Sequence, residues 1–199
     1  MATTMENNIL NIKTLGTLQE KILFFLAENP DNHKQAIQKG INHPTDQYGS
    51  ISKAVDALKK MGFIESKKAT SKKKQEIDSY SCTELGLLYT LAKNRSPDVP
   101  KILNACQTKG ETWKSLKGLY NDWGPDEFLM LFQQIGDILP MITKDGLENA
   151  LIYLLIKSVK RVHKIDSKTR MKYAKSAMKH FPYLKSGMKE WSENIKELL

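Results

Sequence analysis

Residues Thr45 to Thr83 read TDQYGSISKAVDALKKMGFIESKKATSKKKQEIDSYSCT. The pattern divides into a helix, a reversal, a strand, a basic loop and a second strand. Ile51, Val55 and Leu58 fall at i, i+4 and i+7 with Ala54 beside them, which makes one helical face apolar. At roughly 100° per residue, Gly49, Ser52, Lys53, Asp56 and Lys60 fall on the opposite face. Thr45 is the predicted N-cap, and Gly62 supplies the left-handed residue that stops the helix. Phe63-Ile64-Glu65 then begins a strand, and Ile77 to Cys82 can return antiparallel to it. Between them lies KKATSKKK, which places Lys67, Lys68, Lys72, Lys73 and Lys74 on an expected hairpin tip. A helix with small polar groups outward, followed by a lysine-rich hairpin, suits a major groove and its flanking phosphates.

Two further helices precede this stretch. Leu18, Ile22, Leu23, Phe25 and Leu26 predict a helix capped by Thr17 and broken at Asn29-Pro30-Asp31. A short second helix is expected from Asn32 to Lys39, anchored by Ala36 and Ile37 and ended by Gly40. Ile41 to Pro44 makes the turn into the reading helix, which is the helix-turn-helix spacing. After the hairpin, Thr83 caps a helix to about Asn94, with Leu85, Leu88, Leu91 and Ala92 inward.

On the residues G-S-I-x-x-A-V-x-x-L-K-K-M-G-F-I-E (Gly49 to Glu65) and Y-S-C-T-E-L-G (Tyr80 to Gly86), the chain resembles the winged helix-turn-helix family. Its MarR- and PadR-like transcription regulators, of archaeal type, are the nearest in pattern. The resemblance covers roughly residues 15–95. It implies a homodimer that sets two reading helices in successive major grooves of double-stranded DNA. The residues it places against DNA are Tyr48, Ser50, Ser52, Lys53 and Lys60 on the helix, with Lys67, Lys68, Lys72, Lys73 and Lys74 on the wing. For the helix residues an ordinary exposed face, and for the wing a solvated tip, are the competing readings. Winged helices also serve RNA-binding and protein-assembly roles, so the fold alone does not decide function.

The chain has 199 residues, 40% hydrophobic and 27% charged, which suffices for one large or two small cores. Its +9 charge favours polyanionic partners. Two cysteines, Cys82 and Cys106, are too few for a disulfide framework and read as reduced thiols of a cytoplasmic protein. The longest apolar run, Ala150 to Val159, is interrupted by Lys157 and too short to span a bilayer, so no membrane partner is expected. No Walker loop, nucleophile elbow or HExxH appears, and His33, His43, His163 and His180 are scattered. The expectation is therefore a non-enzyme without cofactor or metal.

The expected fold class is mainly α: a flexible arm at 1–14, a winged helix at 15–96 with a two-stranded wing, and an all-α domain at 97–199. Arg95 to Pro100, with two prolines, marks the boundary. Beyond it helices are predicted at about 100–108, 111–123, 125–142, 144–163, 168–180 and 183–198. Phe128, Leu131, Phe132, Ile135, Ile138 and Leu139 form one apolar stripe, and Leu147, Leu151, Leu154, Leu155 and Val159 another. These helices are the expected dimerisation element, with a small-molecule or protein effector left open as a further partner. Trp113, Tyr120, Trp123, Phe128, Phe132 and Tyr153 either line a ligand pocket there or pack as core. Charge is uneven in this half. From Pro97 to Ile156 there are five Lys against eight acids, a net of −3, whereas Lys157 to Lys189 carries nine Lys and two Arg against Asp166, a net of +10. That basic tract offers an auxiliary surface for nucleic acid or a partner protein.

Overall fold

The computed structural model describes residues 15–70, 76–106, 110–130, 132 and 167–182. Helix α1 spans Thr17–Glu28 and buries Ile22, Leu23, Leu26 and Ala27. Its cap is Gly16 rather than the expected Thr17, and Gln19 Oε1 reaches back to accept the Gly16 N–H at 2.9 Å, the glutamine half of a capping box. Asn29 closes the other end, donating from Nδ2 to the Phe25 carbonyl at 2.9 Å.

Helix α2, Lys34–Gly40, starts two residues later than the sequence suggests. The cause is tertiary. Asn32 exchanges both backbone hydrogen bonds with Tyr80, at 3.2 and 2.9 Å, so it is held in an extended bridge and cannot enter a helix. Asp31 before it takes the left-handed conformation, φ 63°. After α2, Gln38 is buried and its Nε2 donates to the Pro44 carbonyl at 2.6 Å, which fixes the turn.

Thr45–Gln47 forms a 3₁₀ turn, and helix α3 follows over Tyr48–Lys60. Thr45 is thus not the α3 cap. Gln47 holds that position, and its carbonyl accepts the Ser50 hydroxyl at 2.7 Å. Ile51, Ala54, Val55 and Leu58 are buried as the spacing predicts, and complete burial of an Ile, Val or Leu side chain stabilises by roughly 1.5–3 kcal/mol. The helix ends in a Schellman motif: Gly62 sits at φ 78°, the Phe63 N–H bonds to the Leu58 carbonyl and the Gly62 N–H to that of Lys59.

Strands β1, Ile64–Thr70, and β2, Glu76–Cys82, form a two-stranded antiparallel sheet in the register Ile64↔Cys82 through Thr70↔Glu76. Lys67 and Lys68 therefore lie within the ladder, not at the tip that the run KKATSKKK suggests. The apolar ends Ile64, Tyr80 and Cys82 are buried at the root, which is where the sheet meets α1 and α3.

Helix α4, Glu84–Lys93, begins at the predicted Thr83 cap, whose Oγ1 accepts the Gly86 N–H at 3.3 Å and donates to the Gly62 carbonyl at 2.6 Å. Gly86 through Leu91 are all buried, so α4 is a central helix, not the one-sided stripe that the sequence suggests. A Cβ on Gly86 would stand 2.1 Å from the Phe63 carbonyl oxygen, and only glycine permits this approach.

The expected boundary segment leads into helix α5, Val99–Ala105, capped by Asp98, whose Oδ1 accepts the Lys101 N–H at 3.0 Å. The Asp98 N–H donates to Glu28 Oε1 at 3.2 Å and Lys101 Nζ to Asn29 Oδ1 at 3.1 Å, so α5 docks on the end of α1. Helix α6 covers Glu111–Trp123, as predicted, and its buried Trp113 donates to Glu84 Oε1 at 3.1 Å. Helix α7, Pro125–Met130, brings Phe128 against Tyr120 and Phe132, with ring centroids at 5.4 and 5.2 Å. Helix α8, Ser167–His180, packs on α6, with Tyr173 against Trp123 at 5.1 Å. Trp113, Phe128 and Phe132 are buried and Tyr120 and Trp123 pack against them, so these aromatics serve as core. Tyr153, the stripe from Leu147 to Val159 and Leu131, Ile135, Ile138 and Leu139 lie outside the described residues.

Buried residues from Leu15 to Phe181 form one hydrophobic cluster that runs from the winged helix into α5, α6, α7 and α8. Cys82 and Cys106 are both buried thiols. No helix among the described residues is long and apolar enough to cross a membrane.

Candidate nucleic-acid interface

The helical period of α3 determines which side chains can reach a ligand. With Ile51, Ala54, Val55 and Leu58 inward, the outward arc carries Gly49, Lys53, Asp56 and Lys60, and Tyr48 and Lys59 flank it, all six exposed. Tyr48 is 41% exposed, a large ring left on the surface at the N-terminal end of the helix. Tyr48, Lys53 and Lys60 have no side-chain hydrogen bond or ion pair among the described residues, so they are available to an incoming group.

Ser50 and Ser52 are half-buried and already engaged. The Ser50 hydroxyl donates to Gln47 and lies 2.8 Å from His43 Nε2, which ties the preceding turn to the first turn of α3. Ser52 Oγ accepts from Lys34 Nζ at 2.7 Å. The same ammonium donates to Asp56 Oδ1 at 2.9 Å and stands 5.8 Å from the Tyr80 ring centre. Burial pushes the Lys34 ammonium down, but Asp56 and Tyr80 outweigh it and the net shift is upward, so the charge is secured.

Nothing in the sequence distinguishes Lys34, although it shapes this surface most. A carboxylate at the centre of the outward face would repel phosphate. Lys34 cancels Asp56 from beneath, and the face is left with the charges of Lys53, Lys59 and Lys60. Lys59 Nζ also donates to Ser66 Oγ at 2.7 Å, which braces the end of α3 against β1. A lysine at a helix N-terminus shows no local pattern that marks this use, since its partner is 22 residues away.

The wing is arranged differently. Lys67 Nζ lies 2.8 Å from Asp31 Oδ1, and Lys68 Nζ lies 3.3 Å from both Glu76 and Asp78. Asp78 and then Glu76, by hydrogen bonding, raise the Lys68 ammonium above its ordinary range. These three pairs are solvent-exposed, and a phosphate can take the place of any of the carboxylates as the ammonium's partner at little cost, since water screens such pairs. Asp31 and Lys67 stand over a cleft of about 350 Å³ between the α1–α2 turn and the sheet, lined also by Glu65, Ser79, Ser81 and Ala105. Lys72, Lys73 and Lys74 lie outside the described residues.

A second basic surface occupies α8. Lys168, Lys172, Lys175 and Lys179 are all exposed, whereas Ser176 and Ala177 are buried and Tyr173 donates to Glu127 Oε1 at 3.0 Å. Asp122 Oδ2 on α6 gathers the inner edge of α8: it accepts from Ser176 Oγ at 2.8 Å, lies 2.8 Å from His180 Nε2 and 3.4 Å from Lys179 Nζ. His180 first and Ser176 second hold the Asp122 carboxyl well below its ordinary range, at about 2. No cluster of metal-ligating side chains occurs among the described residues.

No family model and no curated protein matches this sequence. Among solved structures the chain is similar to Bacillus subtilis PadR in complex with operator DNA, at 15% identity and a TM-score of 0.33, over 92% of this chain and 99% of that one.

Proposed function

We propose that the protein is a sequence-specific double-stranded-DNA-binding transcription regulator, with α3 entering the major groove and the wing resting on flanking phosphates or in the minor groove. One observation carries this reading. The exposed side of α3 presents Tyr48, Lys53 and Lys60 without a side-chain partner among the described residues, with its one carboxylate cancelled by Lys34, and a lysine-bearing hairpin follows directly. An α-helix of this width fits the major groove, and the adjoining ammonium groups fit the phosphates on either side. Lys53 is the proposed base contact and Tyr48 the contact to the sugar-phosphate backbone. Ser50 and Ser52 act first as struts, and reach bases only by exchanging partners.

The regulator acts as a homodimer, because one reading helix sees too few base pairs to find a unique site among genomic competitors. The helices beyond residue 96 supply the interface. Selection of bound duplexes from a random pool tests the reading: a recurrent motif with two half-sites is expected. Binding without any preference would favour an assembly module or an RNA-binding protein instead.

A further inference from the structure

We infer that the outward face of α8 is a second contact surface for the nucleic-acid backbone, separate from α3 and the wing and indifferent to sequence. The inference deepens the DNA-binding reading and rests on it for its partner. Lys168, Lys172, Lys175 and Lys179 recur at i, i+4, i+7 and i+11, which places all four within an arc of roughly 60°. Along the axis they span about 16 Å at a rise of about 1.5 Å per residue. Double-stranded DNA presents one charge per strand about every 3.4 Å, so this row faces on the order of five phosphates of one strand.

The stripe is built to stay charged and outward. Lys168, Lys172 and Lys175 have no ion pair among the described residues, and Lys179 shares Asp122 with His180 and Ser176. Like charges three and four residues apart on one helix face repel one another, so a polyanion that displaces their counterions is the fitting ligand. The helix cannot rotate the lysines away. Tyr173 is fixed by Glu127 and Trp123, Ser176 and His180 by Asp122, and the His180 ring lies where a Cβ on Gly118 would stand 2.3 Å from it.

An anionic membrane would be the other large polyanion, but an interfacial helix inserts its apolar face. Here that face is packed on α6, and Met171, 56% exposed, is the one large apolar side chain on the outer side among the described residues.

The test is the triple variant Lys168→Gln, Lys172→Gln, Lys175→Gln in the full chain, with duplex binding measured across about 50 to 200 mM salt. Lys179 is left in place because it touches Asp122. The expected result is weaker binding to random and preferred duplexes alike, with the log–log salt slope reduced by about 2 to 3. The corresponding Arg variant should keep the parental slope, and both variants should keep the parental helicity. An unchanged slope in the Gln variant overturns the inference, as does a loss confined to phosphatidylserine vesicles with duplex binding intact. Failure of the DNA-regulator reading looks different: sequence preference would be absent in the parent protein while the stripe variant still lowered the slope.

Discussion

Lys34 Nζ stands 2.9 Å from Asp56 Oδ1, joining the first turn of α2 to the outward face of α3 across 22 residues. The Lys34 side chain is 18% exposed and the Asp56 side chain 63%, so the pair is anchored from below and screened from above. A half-exposed pair of this kind stabilises by about 1 kcal/mol or less. Its larger effect is electrostatic, since it removes a negative charge from the surface proposed to meet DNA.

Lys34→Met should therefore cost about 1 kcal/mol or less in stability. Duplex affinity should fall further than that, because Asp56 is then left uncompensated. Adding Asp56→Asn to Lys34→Met should recover most of the affinity. A double-mutant cycle in duplex binding, run beside urea unfolding, checks this; purely additive losses would leave Lys34 as a packing residue only.

Lys53→Ala should cost about 1–3 kcal/mol on a preferred site and much less on random duplex, if the ammonium contacts a base. Competition between the two duplexes reads the difference. Equal losses on both would make Lys53 a phosphate contact.

Replacing Lys72, Lys73 and Lys74 with Ala should weaken binding to all duplexes and flatten the salt slope by about 0.9 for each phosphate no longer neutralised. Lys67→Ala should do less, because Lys67 is shared with Asp31. Titration of binding against salt decides, and a parental slope in the triple variant would place the phosphate-binding surface elsewhere.

Two glycines should respond differently to alanine. At Gly62 nothing lies within 4 Å of the added Cβ, so Gly62→Ala costs only the left-handed backbone, about 1–2 kcal/mol, and the protein should still fold and bind. At Gly86 the Cβ meets the Phe63 carbonyl oxygen at 2.1 Å, and α4 must separate from the turn that leads into β1. Gly86→Ala should lower the thermal midpoint far more than Gly62→Ala; similar midpoints would show that the approach of α4 to the Phe63 carbonyl can relax.

Acid should loosen the α6–α8 contact through Asp122. Its carboxyl is depressed from 3.8 to about 2 in the folded protein, with His180 the leading cause. A depressed acid contributes stability that is present above the unfolded value and lost as pH falls through the folded one. The window is therefore about pH 4 down to about 2. Asp122→Asn should flatten the fall in unfolding midpoint across that window, measured by urea titration at each pH. An unaltered fall would assign the acid sensitivity to other carboxylates.

Much of this fold is legible along the chain because its decisive signals are short-ranged. Ile51, Val55 and Leu58 face the core because a helix returns every 3.6 residues, Gly62 stops α3 because only glycine takes φ 78° without strain, and Thr83 caps α4 because its hydroxyl reaches the N–H three residues on. The outward arc of α3 and the lysine row of α8 follow from the same periodicity, and the start of α6 at Glu111 follows from Gly110 before it, the punctuating glycine. What tertiary structure alone decided involves groups far apart in sequence. Asn32 is extended rather than helical because Tyr80 takes both its backbone groups, and α4 is buried on every side because elements before and after it close over it. Lys34 cancels Asp56, and Asp122 collects His180 from 58 residues away, only because packing brings their helices within hydrogen-bond reach. A local pattern determines which face turns inward; which charge meets which depends on distances that do not exist until the core has formed, since charges farther apart than a Debye length of about 10 Å are largely screened in water.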